Sequence, residues 1–328
     1  MRLARADELA YRLAEVALAW SRGPVDEGAL TIQQVERTPG FYDVEVTSIR
    51  PVPPVAAMLF SEAIHHLRSA LDNVVFYMAE EEHGQPLTDS EERAVSMLVY
   101  DDQTKYENKL KQLTRQGLTL FALDGTLGKR IAGVQPFNDG ASVPSLSPLL
   151  ATVTGIEVAT THPLSLMRDY SNEDKHRAIR LAAGRLLVQR HDDWKRSVGQ
   201  GMREVKVRTI LEVVKKGVLT PVDLSPALHV QRPDGEWVAV GPELDGMARH
   251  LSDIVIPSLV TGMALPSGLP VDIDLGDTGE SVMERAERAG TMRAHERMQD
   301  VMRQALIDAD QRGWRWTPTI GDSDSDGA

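Results

Sequence analysis

The sequence predicts an α+β protein, predominantly α: a helical bundle with flanking antiparallel β-hairpins. Three observations lead there. Long segments place apolar residues at spacings of three and four, most clearly over residues 55–82. Two pairs of short segments instead alternate apolar with polar residues around Pro-Gly and Asp-Gly turn signals. The alternating segments lie before and after the helical stretch, the arrangement of an α+β chain.

In order, Leu3, Leu9, Leu13, Val16 and Leu18 predict a first helix over residues 3–21, stopped by Gly23-Pro24. Residues 30–35 and 42–47 alternate around Thr38-Pro39-Gly40 and predict a hairpin. A long helix follows from about Val55 to about Glu82, ended by Gly84 and Pro86. Weaker periodicity predicts helices near 106–117 and 127–134, then a turn over Gln135–Gly140. A helix is expected to start at Ser171 or Asn172 and run to about Arg190. After Gly201, Val205, Val207, Thr209, Leu211 and Val213 alternate as a strand. Residues 228–231 and 237–240 flank Pro233-Asp234-Gly235 as a second hairpin. A helix over 243–259, a short strand over 271–275 and a long polar helix over 281–311 complete the chain, with no internal repeat. The expected organisation is a bundle with its hairpin over 1–200, a hairpin and long helices over 201–312 packed on the same core, and a disordered acidic tail over 313–328. The two strand regions are able to share one sheet.

Composition narrows the function classes. A chain of 328 residues has room for a sizeable core. No apolar run approaches the roughly 18 residues of a membrane span, so no membrane partner is expected. A net charge of -12 argues against a surface built for non-specific nucleic-acid binding, which depends on Lys and Arg neutralising phosphates. With no cysteine there is no disulfide, thiolate metal site or cysteine nucleophile, which suits a bacterial cytoplasm. The N-terminus reads as amphipathic helix, without the apolar region and cleavage site of a signal peptide. Near the end, Asp322, Asp324, Asp326 and Gly327 have the spacing that opens an EF-hand loop, but the bidentate Glu of such a loop is missing.

Most of the unusual chemistry sits in two segments, Ile64–Asp72 and Ser171–Arg177. On a helical wheel Phe60, Ile64, Leu67, Leu71, Val74 and Met78 form the core stripe of the first, with Arg68 flanking it and His65 and Asp72 further round on the same side. Arg68 and Asp72 are spaced to pair within the helix. In the second, Ile179, Ala182 and Leu186 define a core side that would carry Asn172 and Lys175, with His176 at its edge. Ser171 or Asn172 would cap this helix, and Glu173 and Asp174 would meet its positive end. Lys175, His176 and Arg177 would then sit where the helix dipole disfavours cations. A carboxylate such as Asp72, or a bound anion, would resolve that conflict. The candidate cluster is therefore His65, Arg68, Asp72, Asn172, Asp174, Lys175, His176 and Arg177, read either as a structural ion-pair core or as an anion site.

The stretch 64–75, the turn Val134-Gln135-Pro136-Phe137-Asn138 and the run Asn172-Glu173-Asp174-Lys175-His176-Arg177 resemble a group of bacterial proteins, common in actinobacteria, that carry a His-Asn-Leu-Arg-Ser-Ala-Leu-Asp helix and an Asp-Lys-His-Arg helix start. The resemblance covers roughly residues 42–190 and departs at His66 and Asn73, where the group has Asn and His. It implies that the segments belong together and implies no reaction.

Arg185 and His191 have the Arg-x(4–6)-His spacing of HEPN-type ribonucleases, helical bundles that often work without metal. Under that reading His176 or His65 would be the acid or base, and Lys175 or Arg68 would stabilise the phosphorane-like charge. Gly125-Thr126-Leu127-Gly128-Lys129 is too short for a phosphate-binding P-loop, and no hydrolase, zinc-protease or dinucleotide motif occurs. No cofactor and no metal cluster are predicted. The expectation is a cytoplasmic bacterial protein with a charged cluster able to bind an anion. Its partner would be an anionic small molecule or a nucleic acid. The alternatives are a metal-independent nuclease and a homo-oligomeric module using the 281–311 helix.

Overall fold

The structure is a computed structural model that describes residues 1–22, 29–147, 151, 157–176, 179–190, 203–217, 222–262 and 293–311. Helix α1 (Arg2–Arg22) packs along α2 (Pro54–His83), the longest helix among the described residues. Pro54 starts α2 at a position where its missing N–H is no loss. Gly84, at φ 70°, ends it by donating its N–H to Glu80. Short helices follow: α3 (Asp89–Ala94) with a Thr88/Glu91 capping box, α4 (Gln103–Arg115) capped by Asp102, and α5 (Thr126–Gly133). Then come α6 (Pro163–His176), α7 (Val240–His250), a π-helical turn over Leu251–Val255, α8 (Ile256–Thr261) and α9 (Ala294–Gln311).

The strands are antiparallel. Strands β1 (Leu30–Thr38) and β2 (Phe41–Ile49) form the first hairpin. The β2 strand also pairs with β7 (Ile210–Lys215), so the two strand regions do share a sheet. A two-stranded ribbon joins β3 (Val143–Pro144) to β4 (Thr160–Thr161). The third sheet has the order β6-β5-β8-β9, with β5 at Leu181–Arg190, β6 at Arg203–Glu204, β8 at Val222–Gln231 and β9 at Trp237–Ala239. One apolar core runs from α1 through α2, α6 and β8 to α7 and α8, crossing residue 200.

Two sequence expectations are corrected. The second polar segment does not open a helix running to Arg190. Helix α6 begins eight residues before Ser171, with Pro163 in its first turn and the His162 ring accepting the Leu164 N–H, and it ends at His176. Residues 181–190 are strand β5, paired with β8 from Leu181↔Val230 to Arg190↔Val222. Ile179, Leu181 and Ala183 support a period of two as well as a helical one, and pairing with β8 decides between them. Gly184 is required there, since a Cβ would lie 2.0 Å from Nδ1 of His229. The strand expected over 205–213 is also interrupted: Arg208 adopts φ 73° in a turn that separates β6 from β7. The 271–275 strand, the first part of the 281–311 helix and the acidic tail lie outside the described residues.

The structure's one fully buried ion pair among the described residues joins Arg232, just after β8, to Glu243 of α7. Its N–O distances are 2.8 and 2.7 Å, with side chains 0% and 1% exposed. Arg232 also donates to the Val143 carbonyl at 3.2 Å, and Tyr170 of α6 donates to Glu243 at 3.0 Å. Burial, reinforced by the Glu243 charge, pushes the Tyr170 pKa up and keeps its hydroxyl a donor. Glu243→Ala should destabilise the fold by about 3–5 kcal/mol in chemical denaturation, because it strands the Arg232 charge. Replacing both partners with Met and Leu should recover most of that loss, whereas a single-variant effect below about 1 kcal/mol would contradict the role given to the pair.

Burial also lowers the pKa of His229, in β8, below its ordinary 6.5. The unfolded chain then binds this proton at a pH where the folded chain does not. The His229 contribution is complete above pH 6.5 and shrinks as pH falls towards the folded value. Urea midpoints at pH 7 and pH 5 should therefore differ more in the wild type than in His229→Gln; equal differences would exclude His229 as the source.

Candidate anion-binding site

Residues 95–100, Val-Ser-Met-Leu-Val-Tyr, form a largely buried extended segment that belongs to no sheet. Backbone groups buried without a ladder need other partners, and side chains from three regions supply them. From α2, Arg68 donates to the Met97 carbonyl at 2.6 Å and Asp72 accepts the Met97 N–H at 2.9 Å, while the two side chains pair at 3.2 Å. Fully buried Gln135 donates to the Leu98 carbonyl at 2.7 Å and accepts the Tyr100 N–H at 2.9 Å. From α6, Arg168 reaches the Val99 carbonyl at 3.4 Å.

Arg168 is itself held by Asp101 at 2.8 Å and Asp169 at 2.7 Å. Burial works against the charge of Asp101, but hydrogen bonds from Ser165 and Arg168 outweigh it and hold its pKa below the usual range. Beside this network opens a cavity of about 280 Å³ lined by Arg68, Lys109, Arg168, Lys175, Ser171 and Asn172, together with residues 96–100. Arg68 and Arg168 have carboxylate partners. Among the described residues Lys109 and Lys175 are in no ion pair. Four cations thus face one cavity, and Asp72, Asp101 and Asp169 pair with the two arginines alone.

The structure therefore brings Arg68, Asn172 and Lys175 to one cavity and sets Asp72 beside it. Asp174 joins the same two helices differently, accepting from Ser61 of α2 at 2.6 Å. His65 is exposed, with its ring against His66, and does not line the cavity. The side chain of His176 and all of Arg177 lie outside the described residues. Of the three cations expected within reach of Asp72, Lys175 does not pair with it: Lys175 is exposed in the last turn of α6, and the bond partners of Asp72 among the described residues are Arg68 and Met97. At a helix C-terminus the dipole favours cations, so the conflict posed for a helix start disappears. Asn172 is correspondingly mid-helix and not a cap.

Sequence reasoning missed Lys109 and Arg168. Lys109 sits on a polar helix with no local signal, while Arg168 would have stood out had the Pro163 helix start been recognised. The HEPN-type spacing falls on β5, where Arg185 is a strand residue, and His191 lies outside the described residues. No histidine is among the described residues lining the cavity. The described part of the long C-terminal helix, α9, packs on its own chain through α1, where Arg297 pairs with Asp7 at 2.6 Å. Among the described residues, no helix is long and apolar enough to cross a membrane. No family profile, curated protein or solved structure matches the chain.

Asp72→Ala leaves the buried Met97 N–H without its acceptor and removes one partner of Arg68. With Arg68 and Asp72 side chains 22% and 35% exposed, solvent softens the loss, and denaturation should show about 1–3 kcal/mol of destabilisation. A loss near zero would mean that the extended segment is held by other means.

Proposed function

We propose that the protein is a bacterial cytoplasmic protein of the actinobacterial-type group it resembles, and that it binds a small anion in the cavity between α2, residues 96–100 and α6. The observation that carries this reading is the convergence of Arg68, Lys109, Arg168 and Lys175 on one cavity in a chain whose net charge is -12. The two arginines are anchored by carboxylates and backbone, which gives them fixed positions. Lys109 and Lys175 keep their charge available to a ligand, and Ser171 and Asn172 add neutral donors beside them. A volume of about 280 Å³ suits a compact phosphate or carboxylate ligand. A nucleic-acid backbone would need an extended basic track, and the overall negative charge opposes one.

Inorganic phosphate and a panel of small carboxylates, titrated into the dialysed protein and followed by calorimetry, test the proposal. Binding is expected to weaken as salt is added. Lys109→Gln and Lys175→Gln should each lower affinity on the order of tenfold, since a charge-assisted hydrogen bond contributes about 1.5–3 kcal/mol. Both lysines are away from the core, so thermal unfolding should be little changed. Failure of every anion to bind, or equal binding by both variants, would defeat the proposal.

A further inference from the structure

A second cluster involves none of the residues that line the anion site. We infer that Asp139, His162 and His250 form a binding site for a divalent transition-metal ion, with zinc the best fit. The three come from separate places: the turn after α5, the residue before α6 and the last residue of α7. One potential ligand atom from each lies within 4.8 Å of the others. Asp139 Oδ2 is 3.5 Å from Nε2 of His162 and 3.3 Å from Nε2 of His250, and the two rings stand edge to face with centroids 5.2 Å apart.

Burial makes this arrangement informative. The His162, His250 and Asp139 side chains are 8%, 5% and 19% exposed, and Oδ2 and both Nε2 atoms have no hydrogen-bond partner although all three are buried. Buried polar atoms left unpaired are costly, and three of them facing one point are satisfied together by a cation. Tetrahedral coordination at bonds of about 2.0–2.1 Å separates neighbouring ligand atoms by about 3.3–3.4 Å, against about 2.9 Å for an octahedron. The two Asp139–histidine distances, 3.3 and 3.5 Å, are closer to the tetrahedral value than to the octahedral one. Two imidazoles and one carboxylate favour zinc and its first-row neighbours, whereas magnesium and calcium prefer all-oxygen sites.

One neighbouring contact supports ligation and one must give way to it. Asp139 Oδ1 accepts the Ala141 N–H at 3.0 Å, which aims the other oxygen at the histidines. His162 Nδ1 accepts the Leu164 N–H at 3.2 Å. Ligation through Nε2 would place the ring proton on Nδ1, so metal binding must displace this weak neutral cap. His250 also borders a cavity of about 390 Å³, together with Ala141 and Pro163, each close in sequence to one of the other ligands. A fourth position on the side of that cavity would take water or a ligand, the arrangement of a three-ligand zinc site that remains open. The sequence reading predicted no metal cluster because these ligands share no local spacing and meet only in the fold.

The test uses the full chain, stripped with chelator and titrated with zinc and, separately, cobalt. One equivalent should bind, and cobalt should give the intense visible absorption of tetrahedral coordination. Asp139→Asn and His250→Gln should each weaken binding about a hundredfold or more and abolish that spectrum, with circular dichroism unchanged. No saturable binding by the wild type would overturn the inference, as would undiminished binding by both variants. Zinc-edge X-ray absorption of the wild type decides the question if a variant fails to fold: two imidazoles in the shell are expected, and fewer would overturn the assignment.

Discussion

Removing a carboxylate and a guanidinium from water is worthwhile only when their geometry is good and their remaining hydrogen-bonding groups are satisfied. Arg232 and Glu243 meet that condition with two short bonds, a carbonyl from β3 and a tyrosine hydroxyl from α6. The arrangement joins four elements that are distant in sequence: the end of β8, the start of α7, β3 and the middle of α6. Shifting any one of them would leave a buried charge or donor unsatisfied. Tyr170 lies in the middle of α6, so the same contact orients residues of both sites along one helix, with His162 just before its first turn, Arg168 shortly before Tyr170, and Ser171, Asn172 and Lys175 after it.

The basic cavity arises from a second requirement, that of an extended buried segment with no strand beside it. Arg68, Asp72 and Gln135 provide the hydrogen bonds that a neighbouring strand would have made to Met97, Leu98 and Tyr100. Satisfying that backbone fixes Arg68 at the cavity wall, and Arg168 and Lys175 approach from α6. The Arg68–Asp72 helix, the Gln135-Pro136 turn and the Asn172–Lys175 segment therefore meet around one stretch of chain. The structural and ligand-binding readings of the polar residues are compatible: the paired arginines hold the wall, and under the proposal the lysines would provide charge for a ligand.

Much of the fold was legible because its signals are local. The α2 stripe and its Gly84 stop, both hairpins and the helix before Gly262 follow from periodicity and turn residues; the buried face of α2 takes Val75 in place of Val74 and adds Ala56, Ala63, Ala70 and Ala79. The α6–β5 region was not legible from local pattern. Its apolar residues fit both periods, and the choice rests on pairing with β8, which begins more than thirty residues later. Arg68 stood out in the sequence beside an apolar stripe, Asn172 and Lys175 through a helix-start conflict that the position of α6 removes, and their meeting at one cavity comes from the packing of α6 on α2. Lys109, the Arg232–Glu243 pair and the Asp139–His162–His250 cluster gave no comparable sign, because each depends on contacts between residues remote in sequence.

The central claim is that the cavity walled by Arg68 and Arg168 holds an anion between Lys109 and Lys175. Anomalous diffraction from crystals soaked in selenate addresses it directly, since selenate copies the size and charge of a tetrahedral oxyanion and reports its own position. The account predicts a selenium peak within hydrogen-bonding reach of both lysines. A cavity without selenium, in crystals that take up selenate elsewhere, would contradict it.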